Sequence, residues 1–433
     1  MDRAYEELYE FVSALAVIDT HEHLPSSEDR RDKDTDVLKE YLQHYLSSDL
    51  VSAGLPKEDL ERVRRMDDDI KTKWSLVATY WERARNTGYA RAVDIAVQKL
   101  YGIARIDGET IQALDGRFRA TLAGGWYRKV LKETCRIRTS LLDNDAGACD
   151  REYFTPVYRP PLYPSQAKDL ETIGKEIGGR AIALEDWKRA VRARIEKEMA
   201  QGAAAIKIAC AYERPLSFEN VPSARAEEEW NALFRRENLV ERELSTRPSK
   251  ALQDHLVQSI LAAADEMHLV VQVHTGIQEG NGNMLDNSDP IGLCDVFLRY
   301  PNATFDIFHM SYPFQHKLSA LAKMFPNVHI DMCWAHIISP EVSARALGEF
   351  LDAVPASKIS AFGGDYAFVD GVVGHLEIAR RNVARALAEK VHLDVFDMDR
   401  AKEIATMLFH DNPARIFQVK TRVKAERRGK GKR

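Results

Sequence analysis

Apolar residues along this chain recur in two rhythms. Short runs rich in Val, Ile and Phe stand at Val17 to His23, Arg136 to Leu142, Tyr153 to Tyr158, Ala204 to Ala209, Leu269 to His274, Thr304 to His309, Val328 to Met332 and Ile359 to Gly363. Such near-continuous hydrophobicity is that of strands buried on both faces. Between them, apolar residues spaced three and four apart predict helices over Leu184 to Gln201, Leu252 to Met267, Leu293 to Tyr300, Lys317 to Phe325 and Glu341 to Ala353. Strand and helix in alternation predict an α/β fold with a parallel sheet covered by helices. A count of eight strands favours closure into a (β/α)8 barrel, the TIM-barrel form, over an open doubly wound sheet. No glycine-rich phosphate or dinucleotide loop follows any of the strands, which also disfavours the open sheet.

The stretch from about Pro25 to Gly125 breaks this alternation. It has helical periodicity over Asp36 to Leu50 and Leu60 to Arg85, with Trp74, Tyr80 and Trp81 adding bulk, and it reads as a helical insertion after the first strand. Aromatics at helical spacing read first as packing residues and second as a lid. A helical segment from Met398 through Phe417 closes the fold. We read residues 1–419 as a single barrel domain, insertion included, and the strongly basic stretch 420–433 as a solvated, disordered tail.

Composition narrows the class of partner. The chain has 433 residues, 45% of them hydrophobic, and a net charge of −5, so it carries no global basic field of the kind a nucleic-acid binder needs. A small-molecule substrate is expected, with neither nucleic acid nor membrane as partner and a homo-oligomer as an open option. The five cysteines are scattered, odd in number and without a Cys-x-x-Cys spacing, as in a reduced, cytoplasmic protein. The acidic, helix-patterned N-terminus is unlike a signal peptide, and no apolar run reaches the length of a membrane span.

Candidate chemistry sits where the predicted strands end, which in a parallel barrel is the face that carries the site. The first strand runs Val17-Ile18-Asp19-Thr20-His21-Glu22-His23; alternation puts His21 and His23 on one side as a chelating pair and turns Glu22 away. The fifth strand ends in His274, the sixth in His309, and the eighth in Gly363-Gly364-Asp365. The chain has thirteen histidines, so one at a strand end means little, whereas four of them plus an aspartate at four such ends point to a metal site. Asp365 is expected to act on a metal-bound water, with capping of the next helix as its bland alternative. Lys207, on the fourth strand, has three open readings: contact with an anionic substrate, a carbamate bridging two metals, or pairing with a carboxylate. Arg214 and Arg159 are candidates for gripping a substrate carboxylate, with surface salt bridges as the alternative.

The order His-x-His, strand-four Lys, His, His, Asp resembles the amidohydrolase superfamily of metal-dependent barrels. The segments Lys207 to Tyr212, His274-Thr275-Gly276, His309 to Pro313 and Asn327 to Asp331 resemble its amidohydrolase-2 branch, which includes hydrolases, decarboxylases and the nodulin-like domains fused to glutamine synthetase. The insertion, with Asp36 to Tyr41 and Leu50 to Pro56, also resembles uronate isomerases. The resemblance implies metal ligation by His21, His23, His274 and Asp365, and catalytic roles for His309 and Asp365. It does not by itself imply a second metal at Lys207.

Such a set would hold a divalent ion, zinc first with manganese or iron as alternatives, and would lower the pKa of a bound water towards about 7. His309 would polarise a carbonyl or stabilise developing oxyanion charge. The first functional expectation is therefore a metal-dependent hydrolase acting on a C–N or C–O bond of a small carboxylate-bearing compound. The alternative is an isomerase of sugar acids or a decarboxylase, and a non-catalytic scaffold comes third.

Overall fold

The structure, a computed structural model, describes residues 2–234 and 248–419. The basic stretch 420–433 lies outside the described residues. Eight parallel strands form one sheet in sequential order: β1 Val17–Glu22, β2 Ile137–Asp143, β3 Phe154–Tyr158, β4 Ala205–Ile208, β5 Val270–Val273, β6 Thr304–Ile307, β7 Val328–Asp331 and β8 Ile359–Ser360. Each falls on one of the apolar runs. Closure of this nearly complete barrel is made by the chain just beyond β8. Thr20 N–H donates to Phe362 O at 3.0 Å, Asp365 N–H to His21 O at 2.8 Å, and His23 N–H to Tyr366 O at 3.0 Å. These bonds bring Asp365 beside the two histidines of β1.

Helices Leu184–Ala200, Lys250–Glu266, Gln315–Met324 and Pro340–Ala353 cover the strands, each within a few residues of its predicted span. The barrel interior departs from the apolar expectation. Lys207 on β4 is in register with Gln272 on β5, and Gln272 with Asp306 on β6; all three are buried. The Gln272 side-chain amide donates to Thr20 O at 3.0 Å and to Asp306 Oδ2 at 3.2 Å. Burial, and then the neighbouring Asp331 charge, pushes the Asp306 carboxyl well above its ordinary range. A polar row thus crosses from β4 to β6 within the barrel.

Between β1 and β2 lie six helices, Val37–Tyr41, Leu46–Ser52, Lys57–Arg64, Ile70–Ala84, Gly88–Tyr101 and Ile111–Ala120. Trp74 and Trp81 are buried with ring centroids 5.4 Å apart, the packing role expected of them. The insertion is fixed to the long helix Val369–His392 that follows β8. Asp370 at its start accepts hydrogen bonds from Tyr41 Oη at 2.8 Å, Tyr101 Oη at 2.6 Å and Trp126 Nε1 at 2.7 Å. Further along, Gly374 lets helix Gly88–Tyr101 approach so closely that a Cβ there would meet the Ala92 carbonyl.

The helical periodicity over Asp36 to Leu50 is interrupted at a point that bears on the site. The chain leaves the helix between Tyr41 and Leu46, and Tyr45 sits at φ 26°. The break turns His44 and Tyr45 toward the barrel mouth. Among the described residues no helix is long and apolar enough to cross a membrane, and all five cysteines are free.

Candidate active site

His21 and His23 lie on one side of β1, as alternation requires, with their Nε2 atoms 3.2 Å apart. Asp365 Oδ1 is 3.4 Å from His21 Nε2 and 3.3 Å from His23 Nε2. Three lone-pair donors therefore form a nearly equilateral triangle. Donors around a tetrahedral ion with bonds of about 2.0–2.1 Å are separated by roughly 3.3 Å, so the triangle fits a divalent metal. Burial raises the Asp365 carboxyl, but the hydrogen bond to His23 and the imidazoles of His21, His23 and His309 outweigh it and hold the group well below the usual carboxylate range. Burial, then the Lys207 charge, drives His21 well below an ordinary histidine, which leaves its ring neutral and able to ligate.

The placement of Asp365 depends on the residues around the two glycines. Gly364 N–H donates to Asp19 Oδ1 at 3.0 Å, and Tyr366 N–H to Glu22 Oε2 at 2.8 Å. A Cβ on Gly364 would run into the Glu22 carboxyl. Asp365 itself adopts φ 57°, and the next helix begins only after Phe368, so Asp365 caps nothing. Glu22 points away from the triangle, as expected, and shares a proton with Asp19: burial lifts Asp19 to about 6, and burial with the Asp19 charge lifts Glu22 well above its usual range.

His309 follows β6 in a run of left-handed residues, with φ 62° at His309, 45° at Met310 and 52° at Ser311. This conformation aims its ring inward. Its Nε2 is 3.8 Å from Asp365 Oδ2, and its Nδ1 lies 3.0 Å from the Cys333 carbonyl. His274 is one step further back than the sequence implied. It lines the cavity, its Nδ1 faces His309 Nε2 at 3.0 Å and its Nε2 faces Ile277 O at 3.2 Å, and the single N–H of a neutral ring can serve only one of the two contacts. His309, not His274, is the histidine in direct reach of Asp365.

A cavity of about 350 Å³ opens above the triangle. Lys207 and Arg159 line it. Lys207 is 2% exposed, rests over the Phe308 ring at 3.3 Å from its centroid, and has no ion-pair partner among the described residues. Burial pushes its ammonium down to about 8, with Asp365 and Asp143 opposing. Arg159 pairs with Asp143 at the end of β2, which offsets its charge. Arg214 does not line the cavity. Its guanidinium is buried and spent on Asp254, on Gln253 Oε1 at 3.2 Å and on Ser217 O at 2.9 Å, because the loop after β4 folds it back against helix Lys250–Glu266.

Three lining groups escaped the sequence reading. His44 and Tyr45 come from the insertion; Tyr45 Oη donates to the Asp365 carbonyl, and burial lowers His44 to about 4. Their signal was a His-Tyr pair interrupting a helical pattern. Glu279, on the loop after β5, also lines the cavity and carried no signal. Asp143 was legible by the strand-end rule, since β2 ends on it and its Oδ2 lies 3.9 Å from His23 Nδ1. The donor atoms of His21, His23 and Asp143 lie within 4.8 Å of one another, as do those of His309, Cys333 and Asp365.

Comparison with known proteins follows this geometry. The chain is 23% identical over 460 aligned positions to the uronate isomerase of Cutibacterium acnes, covering 96% of this chain and 95% of that protein. It is 26% identical over 181 residues to Protein fluG of Emericella nidulans, covering 39% of this chain but only 20% of the length of that relative. The crystal structure of uronate isomerase from Thermotoga maritima superposes with a TM-score of 0.79 at 17% identity, covering 96% of this chain and 97% of that one, and shares its fold. The amidohydrolase family model of the second type (Amidohydro_2) matches residues 148–419, and the chain belongs to that family.

Proposed function

We propose that this protein is a metal-dependent isomerase of sugar acids, interconverting the aldehyde and ketone forms of a uronate. The observation that carries this reading is the character of the cavity. Around the His21, His23 and Asp365 triangle its walls are imidazole, phenol, ammonium, guanidinium and carboxyl groups, and Ala209 is the one aliphatic residue lining it. Such a surface suits a polyhydroxylated substrate and offers no apolar slot for an aromatic acid. The relative of matching length being a uronate isomerase supports the same choice over the hydrolase that the strand-end residues first suggested.

A divalent ion held by His21, His23 and Asp365 would supply Lewis acidity to the substrate carbonyl and its neighbouring hydroxyl. The chain's own groups do the rest. Lys207, a buried cation without an ion-pair partner among the described residues, receives the substrate carboxylate. Asp365 Oδ2 lies on the side of the carboxylate facing His309, away from the triangle, and is placed to take the proton from C2 and return it to C1. The C2 hydroxyl proton passes to the C1 oxygen, so no water is consumed and atoms balance. His309 donates Nδ1–H to the Cys333 carbonyl, which holds its Nε2 toward the reacting centre.

Incubation of the metal-loaded protein with glucuronate and galacturonate in deuterated, oxygen-18 water tests the reading. Ketose product with deuterium on carbon and no oxygen-18 beyond carbonyl exchange is expected. Net incorporation of oxygen-18 with bond cleavage of a lactone or N-acyl substrate, and no ketose, would restore the hydrolase.

A further inference from the structure

Beside the main cavity lies a second one of about 170 Å³. Tyr45 and Glu279 line both, so the two adjoin. Its walls come from separate parts of the fold. Helix Leu46–Ser52 of the insertion contributes Ser48, Asp49 and Ser52, and the loop after β5 contributes Glu279 and Asn281. The two are joined by a hydrogen bond from Asn281 Nδ2 to Ser48 O at 3.2 Å.

One side of this chamber is aromatic. Tyr45 stacks on Tyr89 at 5.2 Å and on Trp334 at 4.6 Å between centroids, with interplanar angles of 21° and 15°, and all three residues line the chamber. The other polar groups want donors. Asp49 and Glu279 both line the chamber, and the Glu279 carboxyl makes no hydrogen bond or ion pair among the described residues. These two wall carboxyls offer acceptors to a ligand that brings hydroxyl groups. An aromatic face opposite carboxyl, hydroxyl and amide groups is the chemistry that holds a sugar ring. Two carboxyls in the wall also repel a ring that carries its own carboxylate.

We propose that this side cavity is a second sugar subsite, and that the preferred substrate is a sugar acid extended by a neutral hydroxylated ring. The main cavity, with Lys207 and the triangle, takes the acid; the side cavity takes the added ring. The proposal rests on the sugar-acid reading of the main cavity, and the test separates the two.

Isothermal titration of the metal-loaded protein would compare glucuronate, glucuronate bearing a glucosyl group at O4, and digalacturonate. The glucosyl compound should bind at least about tenfold more tightly than glucuronate, from two hydrogen bonds and a ring contact, whereas digalacturonate gains nothing from its second ring. Ser52→Phe, which fills the chamber from its rim, and Asp49→Asn, which removes the carboxylate while keeping its shape, should each erase most of that gain and leave glucuronate binding within about twofold. Equal affinity for the two glucuronates, or a gain that survives in both variants, would overturn the subsite. A gain that both variants erase, in a protein that turns over no uronate, would sink the isomerase reading and leave the subsite standing.

Discussion

His309 Nε2 stands 3.0 Å from His274 Nδ1, which couples a histidine 3.8 Å from Asp365 Oδ2 to one outside the triangle. The Cys333 carbonyl accepts from His309 Nδ1–H, so Nε2 of the neutral ring is a lone pair that accepts from His274 when the single proton of that ring sits on Nδ1, which leaves His274 Nε2 without a proton for the Ile277 carbonyl. Burial favours that neutral state, lowering His309 to about 4 and His274 well below the ordinary histidine value. We expect His274 to orient His309 rather than to hold metal directly. His274→Asn should retain bound metal with affinity weakened by no more than about 10–100-fold, the range for groups that act through a ligand. His21→Asn or His23→Asn should lose it on dialysis. Metal content by elemental analysis decides, and loss of metal in His274→Asn as complete as in His21→Asn would return His274 to the ligand set.

If Lys207 receives the substrate carboxylate as proposed, it sets the alkaline limit of substrate binding. Its ammonium titrates at about 8, lowered by burial, so the cation is present below that pH and lost above it. The KM for a carboxylate substrate should rise tenfold per pH unit above about 8 while kcat changes little. Lys207→Met should raise KM by about 100-fold and flatten that limb. A limb that persists unchanged in Lys207→Met would assign it to another group.

His375 ties the β8 turn to the helix behind it. Its Nδ1 lies 3.1 Å from Gly364 O, the residue before Asp365, and burial lowers the ring to about 3 against 6.5 for an ordinary histidine. A folded pKa below the unfolded one means that the unfolded chain takes up the proton first, so stability from this group is lost as pH falls below 6.5. His375→Gln is destabilised at pH 7, but its deficit relative to the parent should shrink by about 2 kcal/mol between pH 7 and 5. Urea unfolding of both proteins at the two pH values measures this; a deficit independent of pH would place the charged form of His375 in the folded state.

Asp370 accepts hydrogen bonds from three side chains of the segment between β1 and β2. Asp370→Ala strands Tyr41, Tyr101 and Trp126 without their acceptor, with a cost of about 3 kcal/mol or more to global stability. Because His44 and Tyr45 enter the cavity from the same insertion, kcat/KM should fall at temperatures where the protein is still folded. Limited proteolysis should cut first within residues 25–125. An unchanged urea midpoint would show that apolar packing alone holds the insertion.

Much of the barrel was legible because its strands are buried on both faces, and an apolar run bounded by helices has few other solutions. The residues at strand ends were legible for the same reason: a histidine or aspartate closing an apolar run is conspicuous, as at His21, His23, His309 and Asp365. Arg214 misled because a charge near a strand end says nothing about the direction of the loop, and here the loop folds it onto Asp254 and Gln253. His44 and Tyr45 were obscured because helical spacing continues across the break at which they leave the helix.

What the sequence alone determined was a parallel eight-strand order and the His21/His23 pair with Asp365 across from it, since alternation and strand count are properties of the chain itself. Tertiary structure decided which nitrogen faces which oxygen. Only the closing hydrogen bonds from β1 to Phe362, Asp365 and Tyr366, the left-handed run at His309 and the docking of the insertion on Asp370 turn separate residues into one triangle and two adjoining cavities. Those arrangements depend on contacts between segments hundreds of residues apart, and spacing along a chain carries no measure of them.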